Sequence, residues 1–147
     1  MPRFSLETAL SVRERLERLY QKALAEQVQI EKQHREIINV MQDALEAHNN
    51  DLDEAKKNGV TLNELLMGSD FQQRIKKNLE IKKEQLKEQL EVVELKRNEL
   101  TKATQKKRVF EILKEKEIKE FQAEEERLER LEADEIAQNY RRFSQNG

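Results

Sequence analysis

The sequence predicts an all-α protein, a long antiparallel two-helix coiled coil whose C-terminal helix extends past the N-terminus. Three observations carry this. Charged residues make up 39% of the 147 residues, aromatics make up 5%, and there is no Trp. Glycine occurs three times and proline once, so turns are scarce. Apolar residues recur at helical spacing, which argues against disorder in so polar a chain. The whole chain, 1–147, is expected to form a single elongated hairpin. Helix 1 covers about 5–55, a bend covers 56–69, and helix 2 covers about 70–140.

Helix 1 is bounded in front by Pro2, which a helix tolerates only at or before its first turn. Ser5 is the expected N-cap, with Phe4 stapling back onto the first turn. No Gly or Pro follows until after Ala55. An early stripe of Ala9, Val12, Leu16, Leu19, Ala23 and Ile30 alternates steps of three and four, as a heptad seam requires. A second stripe of Ile38, Met41, Leu45, His48, Leu52 and Ala55 does the same. Consecutive steps of four, Ile30 to His34 to Ile38, join them as a stutter that would locally unwind a supercoil.

The segment "NGVTLNELLMGSDF" (58–71) holds both internal glycines. Asn58 and Gly59 take left-handed backbone conformations readily and are expected to stop helix 1. Thr61 with Glu64 forms a capping box for a short helix crossing the end of the pair. Gly68 is expected to break that helix, with Ser69 or Asp70 capping helix 2. Leu62, Leu65, Leu66 and Met67 would plug the open end of the coiled coil.

Helix 2 carries Phe71, Ile75, Leu79, Leu86, Leu90, Val93, Leu100, Ala103, Phe110, Phe121, Leu128 and Leu131 as its stripe. Lys107, Lys114 and Glu117 interrupt it, where long stems can cover the seam while their charges reach water. From Asp43 to Glu54 there are acids and no base; from Arg74 to Lys87 bases dominate. Folding the chain about residue 63 sets these segments opposite each other and selects an antiparallel pair. Each paired arm then spans roughly 75 Å at 1.5 Å per residue. Residues 122–147 are left without a partner in the chain, yet they carry Leu128, Leu131, Ile136, Tyr140 and Phe143. An amphipathic helix without an internal partner awaits an external one.

Several function classes are excluded or weakened. A net charge of −2 drives the chain toward neither nucleic acid nor acidic membranes. The basic run "KATQKKR" (102–108) is short, lacks aromatics, and reads as a solvated helix face. There is no Cys, which fits a reducing compartment. No apolar run spans a bilayer and no signal-peptide core opens the chain, so the expectation is a soluble cytoplasmic protein. His34 and His48 stand two heptads apart without a phosphate loop or a clustered ligand set. No catalytic residue, cofactor or metal site is expected.

The two ends carry a family resemblance. "FSLETALSVRERLER" (4–18) and "EEERLERLEADEIAQNYRR" (124–142) resemble the two ends of the bacterial flagellar export protein FliJ. The matching positions are Phe4, Leu6, Glu7, Leu10, Val12, Arg13 and Glu14, then Asp134, Glu135, Ile136, Ala137, Arg141 and Arg142. The resemblance implies a two-helix stalk similar to the rotor stalk of F-type ATPases. It implies binding to the hexameric export ATPase and to the membrane-embedded export gate, and escort of export chaperones. Its setting would be the cytoplasm, peripheral to the inner face of the membrane, without insertion into it. The ATPase-binding part would be Leu128, Leu131, Asp134, Glu135, Ile136 and Tyr140. The gate-binding stripe would be Met41, Leu45, His48, Phe71 and Ile75, with His48 where the family pattern has an aromatic residue. Read from the residues alone, that stripe is also the seam of the helix pair itself. A virulence-injectisome stalk and a dimerising structural coiled coil are the alternatives.

Overall fold

Described over residues 2–146, with side chains over 6–145, the computed structural model contains two α-helices and no strand. They are α1 (Pro2–Asn58) and α2 (Leu62–Asn146), long helices packed against each other in an all-α helical hairpin. α1 begins at Pro2, where proline's fixed φ and missing N–H suit a first turn. Ser5 therefore lies within the helix and not at its cap. The side chains of Phe4 and Ser5 lie outside the described residues, as does Met1.

The bend is shorter than expected. α1 stops at Asn58 because Gly59 takes φ +92°, a left-handed conformation that glycine adopts without penalty. α2 begins at Leu62 and not near residue 70. Thr61 caps it: the Glu64 N–H donates to Thr61 Oγ1 at 3.2 Å, and the Leu65 N–H to the Thr61 carbonyl at 3.1 Å. No separate crossing helix exists, since its residues are the first turns of α2. Of the expected plug, Leu65 is half-buried, while Leu62, Leu66 and Met67 are exposed.

Gly68 does not break the helix. A Cβ added there would stand 3.1 Å from Leu52 Cδ1 and 3.7 Å from His48 Nε2. The missing side chain lets the helices approach closely beside the bend, which compensates for the roughly 1 kcal/mol that glycine costs in a helix interior. Ser69 and Asp70, expected as caps, are interior residues of α2.

The seam of each helix keeps one unbroken heptad register. On α1 the buried and half-buried positions include Leu6, Leu10, Arg13, Glu17, Tyr20 and Leu24, and steps of three and four continue to Ala55. On α2 they run from Leu65 and Gly68 through Ile75, Leu79 and Val93 to Phe110, Lys114 and Glu117. There is no stutter in this pattern. The early stripe expected on α1 sits one position off the seam: Ala9, Leu16 and Ala23 are half-buried, but Val12, Leu19 and Ile30 are exposed. Phe71 and Leu90 likewise flank the α2 seam. An apolar letter count missed the register because Arg13, Glu17, Gln27, Glu31 and His34 hold seam positions on α1. Lys107, Lys114 and Glu117 do hold seam positions on α2, with long stems lying along it.

The chain divides into two compact units, one of residues 18–101 and one combining 1–17 with 102–147. In the first unit, Ile38, Leu79 and Val93 are buried. Gln89 Nε2 crosses to Gln27, donating to its carbonyl and its side-chain oxygen at 2.9 Å each. Together with His48 against Gly68 and Asn49 against Gln72, this places the fold centre at residues 58–61 and not at residue 63. Among the described residues no ion pair joins the acids of 43–54 to the bases of 74–87. With the fold centre shifted, those segments overlap only in part, and nearly all their charges lie off the seam. In the second unit, Leu10 and Ala103 are buried, Lys107 Nζ binds Glu17 Oε1 at 3.0 Å, and the Arg13 guanidinium lies 5.6 Å from the Phe110 ring centre.

Two substitutions test this register. Leu79→Ala removes a buried seam residue and should cost about 2–5 kcal/mol in urea unfolding, while Ile81→Ala, on the exposed flank, should cost less than about 1 kcal/mol. Gly59→Ala has open space for its methyl but must hold a left-handed backbone, and should lower stability by about 1–2 kcal/mol.

Candidate functional site

Two surfaces hold the residues singled out in the sequence. In the unit combining 1–17 and 102–147, every residue from Ile118 to Gln145 is exposed. Leu128 and Leu131 are each about half exposed, and Ile136, Tyr140 and Phe143 more so, Phe143 reaching 83%. Asp134 and Glu135 are exposed among them. The α2 heptad runs on from Glu117 through Phe121 to Leu128 and Leu131, both about half exposed. Within this arm Arg127 grips Glu124 in a bidentate pair, with nitrogen–oxygen distances of 3.0 and 2.6 Å. The hydrogen bonds from Arg127 hold the Glu124 carboxyl below the usual carboxylate range, and those to Glu124 raise the Arg127 guanidinium.

The second surface lies beside the bend, in the unit 18–101. His48 Nε2 stands 2.9 Å from the Gly68 carbonyl, and its ring meets Phe71 at 4.6 Å between centroids, tilted by 58°. Gln72 Nε2 donates to Asn49 Oδ1 at 3.0 Å beside them. Met41, Leu45, His48 and Ile75 are half-buried seam residues. Phe71 alone of that stripe is exposed, at 45%. The structure thus gathers His48 and Phe71 into one cluster and uses Met41, Leu45 and Ile75 to hold the helices together. Gly68 belongs to the cluster too, and its signal was a glycine inside an otherwise strong helical pattern.

The chemistry available at either surface is that of contact. No group of three or more metal-ligating side chains occurs among the described residues. His34 and His48 occupy seam positions; His34 Nδ1 is buried and makes no hydrogen bond among the described residues. In the run 102–108, Lys107 is committed to Glu17 and Glu111, and Arg108 to Glu111 and Glu115. Half of its bases are therefore paired with carboxylates, which a phosphate-binding patch would need free. No described helix is long and apolar enough to cross a membrane.

The family model of the flagellar FliJ protein matches residues 2–147, essentially the whole chain. The chain belongs to the FliJ family. No curated protein and no solved structure gives a significant match. Membership makes this a flagellar export-related protein, and the family is a non-catalytic component of that machinery. The terminal motifs of a FliJ-family chain fall here on the half-buried start of α1 and on the bare end of α2.

The Glu17–Lys107 contact gives a pH test. The hydrogen bond to Glu17 raises the Lys107 ammonium above its ordinary value, outweighing desolvation. A raised lysine contributes its stability fully below the unfolded value of about 10.4 and loses it as pH climbs through the higher folded value. The stability difference between the natural chain and Lys107→Ala should therefore stay level from neutral pH to near that value and narrow above it, as read by denaturant unfolding.

Proposed function

We propose that this FliJ-family protein is a coupling stalk of the flagellar export apparatus, acting by binding and without chemistry of its own. The observation that carries the reading is the exposed arm 122–145, an apolar and acidic helical end. The export ATPase hexamer is its proposed partner, contacting Leu128, Leu131, Asp134, Glu135, Ile136 and Tyr140. A ring of subunits around a single helical end buries apolar side chains on every side. That suits an arm exposed all round better than a flat one-sided contact would.

The proposed contact with the membrane export gate centres on Phe71, the exposed member of the stripe Met41, Leu45, His48, Phe71 and Ile75. His48 supports that ring from the seam, so the gate would read an aromatic edge held in place by a histidine. Escort of export chaperones and a position peripheral to the inner face of the membrane belong to the same reading. Family membership, and the need of such a stalk to reach a membrane-embedded partner, support them.

The arm is tested by mixing the full chain, or a chain lacking 122–147, with the cognate export ATPase and following hexamer formation and hydrolysis. The full chain should promote both and the truncated chain neither; equal effects from the two would remove the arm from the mechanism. Phe71→Ala should weaken gate binding at nearly unchanged stability and unchanged ATPase binding. Ile75→Ala should instead lower the unfolding midpoint, because Ile75 is part of the seam.

A further inference from the structure

α1 carries two apolar stripes, and only one of them faces α2. Within the unit 18–101 the second stripe runs one position ahead of the seam, through Leu19, Ala23, Ile30, Ile37 and Val40. All but Ala23 are exposed, Val40 at 67%, and Ile37 and Val40 help line an open groove. On α2 the positions one ahead of the seam include Ile81, Val92 and Leu95, which are exposed as well. Two right-handed helices running in opposite directions turn these preceding positions toward the same side of the pair. The positions just after the α2 seam are largely charged, with Lys76, Glu80, Lys83 and Lys87 among them. Between Leu19 and Val40, α1 therefore carries a run of exposed apolar side chains beside the seam, a feature isolated soluble chains seldom leave bare.

We propose that this side is covered by a second copy of the same chain, α1 against α1, antiparallel about a two-fold axis at Ile30. A two-fold interface must be complementary to itself. The stripe has that property. Ala23 and Ile37 stand at equal spacing before and after Ile30, Leu19 and Val40 at nearly equal spacing, and polar Glu26 and Gln33 fall between them. Leu19 to Val40 spans about 30 Å at 1.5 Å per residue, a contact of useful length for a helix pair.

The charges along the edge of the stripe select the direction. Lys22 lies toward its N-terminal end and Glu36 toward its C-terminal end, both exposed. Antiparallel pairing about Ile30 sets Lys22 about half a helical turn from the partner's Glu36. Parallel pairing would set each charge against its own kind. Complementary edge charges fix partner and orientation in paired helices more than they add affinity.

The chain has no cysteine, so Ile30→Cys in the full-length protein places a single thiol on the proposed axis. Under mild oxidation at micromolar concentration it should form a covalent dimer faster than Lys32→Cys, which lies past the seam on the other side. In sedimentation the natural chain should move from 17.5 kDa toward twice that mass as concentration rises. Lys22→Glu should weaken this association by about tenfold, roughly 1.4 kcal/mol. Adding Glu36→Lys should restore it. Cross-linking of Ile30→Cys no faster than that of Lys32→Cys overturns the proposal. So does a dimer that Lys22→Glu leaves unchanged, which would put self-association on another face.

Discussion

Two helices lying side by side can bury only one stripe each, so the register of that stripe governs every other surface of the chain. Here it holds an unbroken alternation of three and four on both helices, although many of its positions are polar. The buried apolar side chains are few: Leu10, Ile38, Leu79, Val93 and Ala103 among the described residues. Polar seam positions therefore have to be satisfied across the pair. Gln27 with Gln89 and Glu17 with Lys107 do this, and in doing so they fix which residues stand opposite each other. Buried or half-buried polar contacts of this kind specify register more than they add stability.

Close approach near the bend depends on the same register. Gly68 falls on a seam position, and the space it leaves is filled by Leu52 and by the His48 ring. His48 in turn positions Phe71, the exposed aromatic of the bend-proximal cluster. At the other end of α2 the heptad continues where α1 no longer covers it, and the arm is left bare. One geometric rule thus yields a packed seam and two presented surfaces, an aromatic edge and an exposed end. Both suit the partner-binding role proposed for this FliJ-family chain.

Much of this was legible in the residues. The charge content, the scarcity of Gly and Pro and the helical periodicity state the all-α two-helix class directly. Asn58-Gly59 announces the stop of α1, because few other residues accept a φ of +92°. Thr61 and Glu64 announce a helix start, which read from the residues alone belongs to a separate short helix and in the structure is the start of α2 itself. The family is readable from the two ends taken together. The bare arm followed from simple folding arithmetic, since α2 is longer than α1 can cover. Gly68 misled because glycine breaks helices on average, and its value here lies in a contact with a residue on the other helix.

What the sequence by itself determined is local or additive: helical class, the place of the bend, the charge of each face and the excess length of α2. What only the tertiary structure decided is which of two overlapping stripes on α1 faces α2. Ala9, Val12, Leu16, Leu19 and Ile30 form the more hydrophobic stripe over that stretch, yet the seam runs one residue later through Arg13, Glu17 and Gln27. The choice rests on partners 90 and 62 residues away, Lys107 for Glu17 and Gln89 for Gln27. Hydrophobicity summed along one helix carries no information about them. Only when the second helix is in place does the polar stripe gain its hydrogen bonds and the apolar one remain free to meet something else.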